Sequence, residues 1–312
     1  AMRDSDEILF EMADGVGRIT LNRPRALNAL TQGMCADMTE QLNVWASDDA
    51  VASVEVRGAG ERAFCSGADV RSIRTRVLAG EPWLSFFEVE YTLNSLVARY
   101  PKPYVAFMSG IDMGGGLGLS AHGSRRVVDA TSRLAMPETI IGFTPDVGMA
   151  WQLSHAPGEL GTHVALTGAT FGAGDALALG LADTYDGEGE PEAPLAGASW
   201  IAECYASDDP VEIAGRLAQH PHPDARAAAE TLAQRCPLSV GVTLEALRRA
   251  ASMTGVDDVL AQDLVLVRHL VPGPDFAEGV RAQLVDKDFA PRWQHASLAE
   301  VSRAEVLACF GE

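Results

Sequence analysis

Two glycine loops, each placed just after a short apolar run, constrain this chain more than any other feature. The first is Phe64-Cys65-Ser66-Gly67-Ala68-Asp69-Val70 and the second is Met113-Gly114-Gly115-Gly116-Leu117-Gly118. The runs ahead of them, Val51 to Arg57 and Tyr104 to Met108, read as strands. Small residues at such a junction let backbone amides come close to a ligand. Two loops of this kind can aim one N–H each at a single oxygen, which is what an oxyanion hole requires. A third segment, Met136-Pro137-Glu138 through Pro145-Asp146-Val147-Gly148, adds two carboxyls. Together the three segments suggest acyl chemistry. Taken singly, each loop also fits a plain tight turn, and each acid a solvated surface.

The rest of the chain supplies an α/β frame. Ile8, Phe10 and Met12 alternate, Asp14-Gly15 turns, and Val16 to Leu21 runs on, which predicts a hairpin. The loop Asn22 to Leu30 enters a helix that continues to about Trp45. Helices are expected over 71–80 and 82–100, with Pro101-Lys102-Pro103 as the break, and short strands over 126–130 and 133–136. Strand–strand–helix recurs without a strict repeat, as in an α/β assembly wound around one core. Residues 183–198 are acidic and contain Gly and Pro, the composition of an exposed loop. Helices follow: one opened by Asp209-Pro210, one from Pro223, then 238–253, 256–271 and 297–310. The division expected is a core over 2–183, an acidic loop or linker over 184–199, and a mostly helical region over 200–312.

Composition excludes several classes of function. A net charge of −19 argues against nucleic acid and against an anionic membrane as partners. No run approaches the ~20 apolar residues of a membrane span. The N-terminus is polar and acidic, unlike a signal or transit peptide, and Ala1 ahead of Met2 reads as a tag remnant. Five scattered cysteines without Cys-x-x-Cys fit reduced thiols in the cytoplasm. His220-Pro221-His222 is the nearest approach to a metal pattern, so no metal site is expected. Gly114-Gly115-Gly116 lacks the third glycine of a dinucleotide fingerprint, since position 119 is Leu. No nicotinamide cofactor is expected.

On these residues the chain resembles the crotonase (enoyl-CoA hydratase/isomerase) superfamily, most closely its 3-hydroxyisobutyryl-CoA hydrolase branch. The resemblance is carried by Asn22-Arg23-Pro24…Leu27-Asn28-Ala29-Leu30, both glycine loops, Tyr100-Pro101-Lys102-Pro103, Met136-Pro137-Glu138-Thr139, Phe143 to Gly148 and Ala165-Leu166-Thr167-Gly168. Phe276 to Ala282 and Asp286-Lys287-Asp288 resemble the hydrolase branch specifically. The fold implied is a spiral of β-β-α units with a helical C-terminal region. The ligand implied is an acyl-CoA thioester, with CoA part of the substrate and no separate cofactor. The family's assemblies range from trimers and dimers of trimers to smaller ones, so a homo-oligomer is the self-association implied. A place in valine catabolism goes with that branch.

Residue by residue, the resemblance places CoA along Arg25, Ala26, Leu27 and Ala29, and along Ser66, Ala68 and Val70. It places the oxyanion amides at Ala68 and Gly115, with Gly114 beside them. Arg23, Arg25 and Arg71 are candidates for the CoA phosphates by charge alone, and charge alone also fits a solvated arginine. Hydratases of the family use two glutamates. The first maps onto Gly118, which has no carboxyl, and the second onto Glu138. Asp146 follows eight residues later. Dienoyl-CoA isomerases have an acid pair at this separation but usually keep an acid near position 118, so its absence favours hydrolysis. Glu138 then attacks the thioester or activates water, and Asp146 orients it, binds the substrate hydroxyl or shuttles a proton. Asp112, Thr144, Met149 and His155 depart from the branch pattern and are expected to shape the acyl pocket or its walls, which leaves the acyl group open. Cys65 reads as a small packed residue. The alternatives are an enoyl-CoA hydratase or dienoyl-CoA isomerase, and a non-catalytic CoA-binding or assembly protein.

Overall fold

The structure, a computed structural model, describes residues 6–312. The tag remnant read at Ala1 and the domain start at residue 2 lie outside the described residues. β1 (Ile8–Ala13) and β2 (Val16–Leu21) form the expected antiparallel hairpin. Thereafter the strands come in pairs: β3 (Ser53–Gly58) with β4 (Ala63–Cys65), β5 (Tyr104–Phe107) with β6 (Ile111–Met113), and β7 (Arg125–Asp129) with β8 (Arg133–Ala135). The first of each pair joins a sheet of order β1-β2-β3-β5-β7-β9, closed by β9 (Thr184–Asp186). The second joins a smaller sheet, β4-β6-β8. Among the described residues every strand–strand pairing beyond the hairpin is parallel, with one isolated antiparallel bridge, Leu134 to Phe171. Parallel neighbours need crossovers, and helices such as Gln32–Ala46, Leu84–Ala98 and Gly115–Ser120 provide them. This is the β-β-α spiral in physical terms.

Local sequence explains the crossover helices. Thr31 caps Gln32–Ala46 by accepting from Met34 N–H. Met34, Cys35, Met38, Leu42 and Trp45 are its buried stripe, at helical spacing. No helix among the described residues is long and apolar enough to cross a membrane.

The described chain forms two compact units. One contains the chain up to Asp69, Ser85–Ala135 and Phe171–Ala193, and holds both sheets. The other contains Val70–Leu84, Met136–Thr170 and Pro194–Glu312, and is helical. The units interleave along the sequence, whereas the boundaries 2–183, 184–199 and 200–312 follow one another. The cause is packing within the helical unit. Pro237–Ala250 lies against Met149–Ser154 and against Leu160–Thr167, a helix buried along its whole length.

Two local expectations need correction. Part of 184–199 is a strand, because Thr184–Asp186 pairs with Val127–Asp129 at the sheet edge. The stretch expected as one final helix over 297–310 is divided into a short 3-10 turn, Leu298–Glu300, and a helix, Arg303–Cys309. Ser302 restarts the chain there with a capping box: its hydroxyl accepts from Glu305 N–H, and Glu305 accepts from Ser302 N–H.

Candidate active site

In the strand-bearing unit, buried Asn28 ties the loop after β2 to the start of β4. Its side chain accepts from Arg23 N–H at 2.9 Å and donates to Ala59 O at 3.1 Å and Ala63 O at 2.8 Å. Ser66 N–H donates to Leu27 O, and the Ser66 hydroxyl to Ala26 O. Arg25, Ala26, Leu27 and Ala29 are thereby set beside Ser66 and Ala68. Val70 opens the helix Val70–Ala79, with Arg71 exposed in its first turn. Neither Arg25 nor Arg71 is ion-paired among the described residues. Arg23 donates to Ala29 O at 2.6 Å and pairs with Glu7, so its guanidinium also braces the loop.

The two amides adjoin one small volume. Leu30 N–H donates to Gly67 O, and Asp69 N–H to Leu30 O. That parallel bridge turns the N–H of Ala68, between them, away from Leu30. Gly67 sits at φ +113°, which L side chains rarely adopt. On the second loop, Gly114 N–H is taken by Ala135 O, and Gly115 begins a helix, where its N–H has no intrahelical acceptor. A methyl added at Gly115 would lie 3.3 Å from the Ala68 nitrogen. A methyl added at Gly116 would meet Cys65 O and would lie 2.5 Å from Asp112 Oδ1.

Glu90 also belongs to this geometry, and the sequence reading missed it. It is 1% exposed, and its Oε2 lies 2.8 Å from the same added methyl at Gly115. A signal was present: Glu90 falls on the apolar stripe of its helix, with Phe86, Phe87, Leu93, Asn94 and Val97 at helical spacing. An acid on a buried stripe is costly unless something requires it.

Asp112 is fully buried beneath Gly116, in the second glycine loop. Its Oδ2 accepts from Ser120 Oγ at 2.6 Å, and Oδ1 has no hydrogen-bond partner among the described residues. Burial raises its pKa to about 7, against the opposing effect of the Ser120 bond. Because the folded-state value is raised, the stabilising effect is present at acid pH and is lost as pH rises through about 7. The difference from an ordinary carboxyl corresponds to roughly 4 kcal/mol at full span. Asp112→Asn is therefore expected to gain stability relative to wild type between about pH 5 and pH 8, read from urea midpoints at both ends. A constant difference across that range would contradict the buried-carboxyl account. Cys65, packed beside it, has its thiol pKa raised by burial, which fits a packing role.

In the helical unit, Glu138 follows Pro137 and opens the 3-10 turn Glu138–Ile141. It is 6% exposed, and its Oε1 has no hydrogen-bond partner among the described residues. Burial first, and the neighbouring Asp146 charge second, hold its pKa well above the carboxylate range. Asp146 is itself buried. Glu138 and Asp146 are thus brought together. Thr144 is buried, and its hydroxyl and that of Thr243, also buried, bond at 2.8 Å. Met149 is fully buried, whereas His155 lies at the end of its helix with its ring tilted against that of Trp151, centroids 4.2 Å apart. Gly118 offers only backbone, and its carbonyl accepts from Asn94. Among the described residues no group of His, Cys, Asp and Glu is placed to hold a metal ion.

Two adjoining amides can polarise a carbonyl oxygen, and a buried acid whose pKa is raised can exchange a proton or attack as a carboxylate. Known proteins share the frame. A family model described as enoyl-CoA hydratase/isomerase matches residues 16–193 and 186–310. The mitochondrial 3-hydroxyisobutyryl-CoA hydrolase of Danio rerio is 37% identical, covering 97% of this chain and 89% of its own. That of Homo sapiens is 35% identical, covering 97% and 88%. Among solved structures, a carnitinyl-CoA dehydratase from Mycobacterium thermoresistibile superposes with a TM-score of 0.94 at 44% identity, covering 98% of this chain and 96% of that one. An enoyl-CoA hydratase from Rhodobacter sphaeroides does so with a TM-score of 0.94 at 36% identity, covering 98% and 97%. With a family model spanning nearly all of it and relatives of this identity along its length, the chain belongs to the enoyl-CoA hydratase/isomerase family, the crotonase superfamily.

Proposed function

We propose that this protein is an acyl-CoA thioester hydrolase that cleaves 3-hydroxyisobutyryl-CoA, or a closely related short hydroxyacyl-CoA, to the free acid and CoA. The observation that carries the reading is the acid set. Glu138 and Asp146 are buried together, while Gly118 has no carboxyl where a two-glutamate hydratase keeps its first acid. The names of the curated relatives support the same substrate.

In this reading Ala68 and Gly115 donate to the thioester oxygen, which gains charge as the carbonyl carbon becomes tetrahedral. CoA runs along Arg25, Ala26, Leu27, Ala29, Ser66 and Val70, past Gly114, with Arg25 and Arg71 serving its phosphates. Glu138 acts by one of two routes. As nucleophile it forms a C–O bond to the acyl carbon; the C–S bond breaks, the thiolate takes up a proton, and water cleaves the mixed anhydride. As general base it removes a proton from the water that attacks the same carbon. Asp146 orients Glu138, binds the substrate hydroxyl or carries the proton. No cofactor enters either route.

Cleaving that ester belongs to valine catabolism. The five free, buried thiols support a reducing compartment such as the cytoplasm. The charge of −19 supports neither nucleic acid nor an anionic membrane as partner, and the family supports a homo-oligomer.

The likeness to a carnitinyl-CoA dehydratase and an enoyl-CoA hydratase favours a second reading, a lyase or isomerase that uses Glu138 alone or with Asp146. One comparison separates the two. On a single preparation, kcat/KM for thiol release from 3-hydroxyisobutyryl-CoA is expected to exceed that for hydration of crotonyl-CoA by at least ~10-fold. Crotonyl-CoA ahead by that factor makes the protein a hydratase. Binding of CoA esters with no turnover of either makes it a non-catalytic binder.

A further inference from the structure

Asp263 lies in the helix Val256–Leu270, far in sequence from the acid pair, and is completely buried. Its Oδ2 accepts from Gly148 N–H at 2.8 Å, and its Oδ1 has no hydrogen-bond partner among the described residues. Gly148 ends the Pro145-Asp146-Val147-Gly148 turn, so the bond holds the segment that presents Asp146. That segment is strained: Val147 has φ +53°, a left-handed conformation that a β-branched residue adopts only when its surroundings enforce it. Asp263 supplies part of that enforcement from a different helix.

The charges point the same way. Burial and the Asp146 charge both push the Asp263 carboxyl up, as they do Glu138, and no cation among the described residues offsets either group. Asp146 therefore acts electrostatically on two buried acids, Glu138 and Asp263, the second of which is bonded to its own turn.

We propose that Asp263 is a positioning residue for Asp146, clamping the strained Asp146-Val147-Gly148 turn through the Gly148 amide. The inference rests on Asp146 serving the reaction proposed above. Wild-type thiol release and crotonyl-CoA hydration are measured first, which decides that reading, and every variant is then followed in whichever reaction wild type performs.

Asp263→Leu removes the clamp. Its kcat is expected to fall ~10- to 100-fold with KM within about twofold, because geometry at the reacting group is lost and CoA binding is not. Asp263→Asn keeps an oxygen for Gly148 N–H and is expected to recover to within about fivefold of wild type. The decisive measurement is a double-mutant cycle with Asp146→Asn. If Asp263 works through Asp146, adding Asp263→Leu to Asp146→Asn costs no more than about twofold further. A merely structural role repeats its full loss in that background, and that result overturns the proposal. So does wild-type kcat in Asp263→Leu, or an Asp263→Asn that folds yet is as slow as the leucine variant. If Asp263→Leu does not fold, Asp263→Glu, which displaces the carboxyl from Gly148, is put through the same cycle and judged by the same outcomes.

Discussion

Glu138→Gln is expected to lower kcat for thioester cleavage by ~10²-fold or more while acyl-CoA binding survives. Glutamine keeps the shape and loses what the reaction needs, because an amide neither attacks as a carboxylate nor accepts a proton from water. The expectation does not rest on the position of Glu138 in the sequence alone. This acid is buried, one of its oxygens has no hydrogen-bond partner among the described residues, and a second buried acid raises its pKa further. Such a group is costly to keep in a stable fold, and strongly perturbed acids of this kind concentrate at functional sites. The sign of the pH effect follows. Both routes need the carboxylate, whose pKa is raised, so the acid limb of the kcat profile in wild type should lie above the ordinary carboxylate range and should vanish in the glutamine variant. Removing a raised carboxyl also relieves burial strain, so the variant should be at least as stable as wild type toward neutral pH. Thiol-release kinetics beside calorimetric titration with the hydroxyacyl-CoA make the test. A folded Glu138→Gln that retains most of its turnover removes Glu138 from the mechanism.

What the sequence disclosed and what it withheld divide along a physical line. Features set by neighbours in the chain were legible. The β1–β2 hairpin, the helix entered from the Asn22–Leu30 loop, the Asp209-Pro210 helix start and the two glycine loops all appear where local pattern puts them. Features set by packing between distant segments were not. Thr184–Asp186 looks like acidic linker until β7 offers it an edge. That Arg23 braces its own loop through Ala29 O and Glu7 shows only in the fold. Thr144 meets Thr243, and Asp263 meets Gly148, across roughly a hundred residues of chain that no local pattern bridges. Glu90 lies between these cases: an acid on a buried stripe is visible in the sequence, but its closeness to Gly115 is not.

Gly115→Ala should be nearly as damaging to catalysis as Glu138→Gln, for a different reason. Gly115 has no left-handed φ, so alanine is tolerated by the backbone. The cost falls on the volume in front of the amides. The new methyl would lie 3.3 Å from Ala68 N, close to where a carbonyl oxygen must sit to receive both N–H groups, and 2.8 Å from Glu90 Oε2. Glu90 is a flexible side-chain end and can give way, whereas the Ala68 nitrogen is backbone and cannot. Displacing the substrate oxygen from such donors is expected to cost ~10² to 10³ in kcat, the loss typical of a removed oxyanion contact. The loop carrying Arg25 to Ala29 is untouched, so KM should change much less. Gly116→Ala is the control that separates site from scaffold. Its methyl would be driven into Cys65 O and against Asp112 in the packed layer behind the loop, so the damage should appear as a lowered Tm. The paired outcome is therefore specific: Gly115→Ala slow but thermally near wild type, and Gly116→Ala unstable. If Gly115→Ala folds normally and turns over within about threefold of wild type, the Ala68 and Gly115 amides do not hold the substrate oxygen, whatever the role of Glu138.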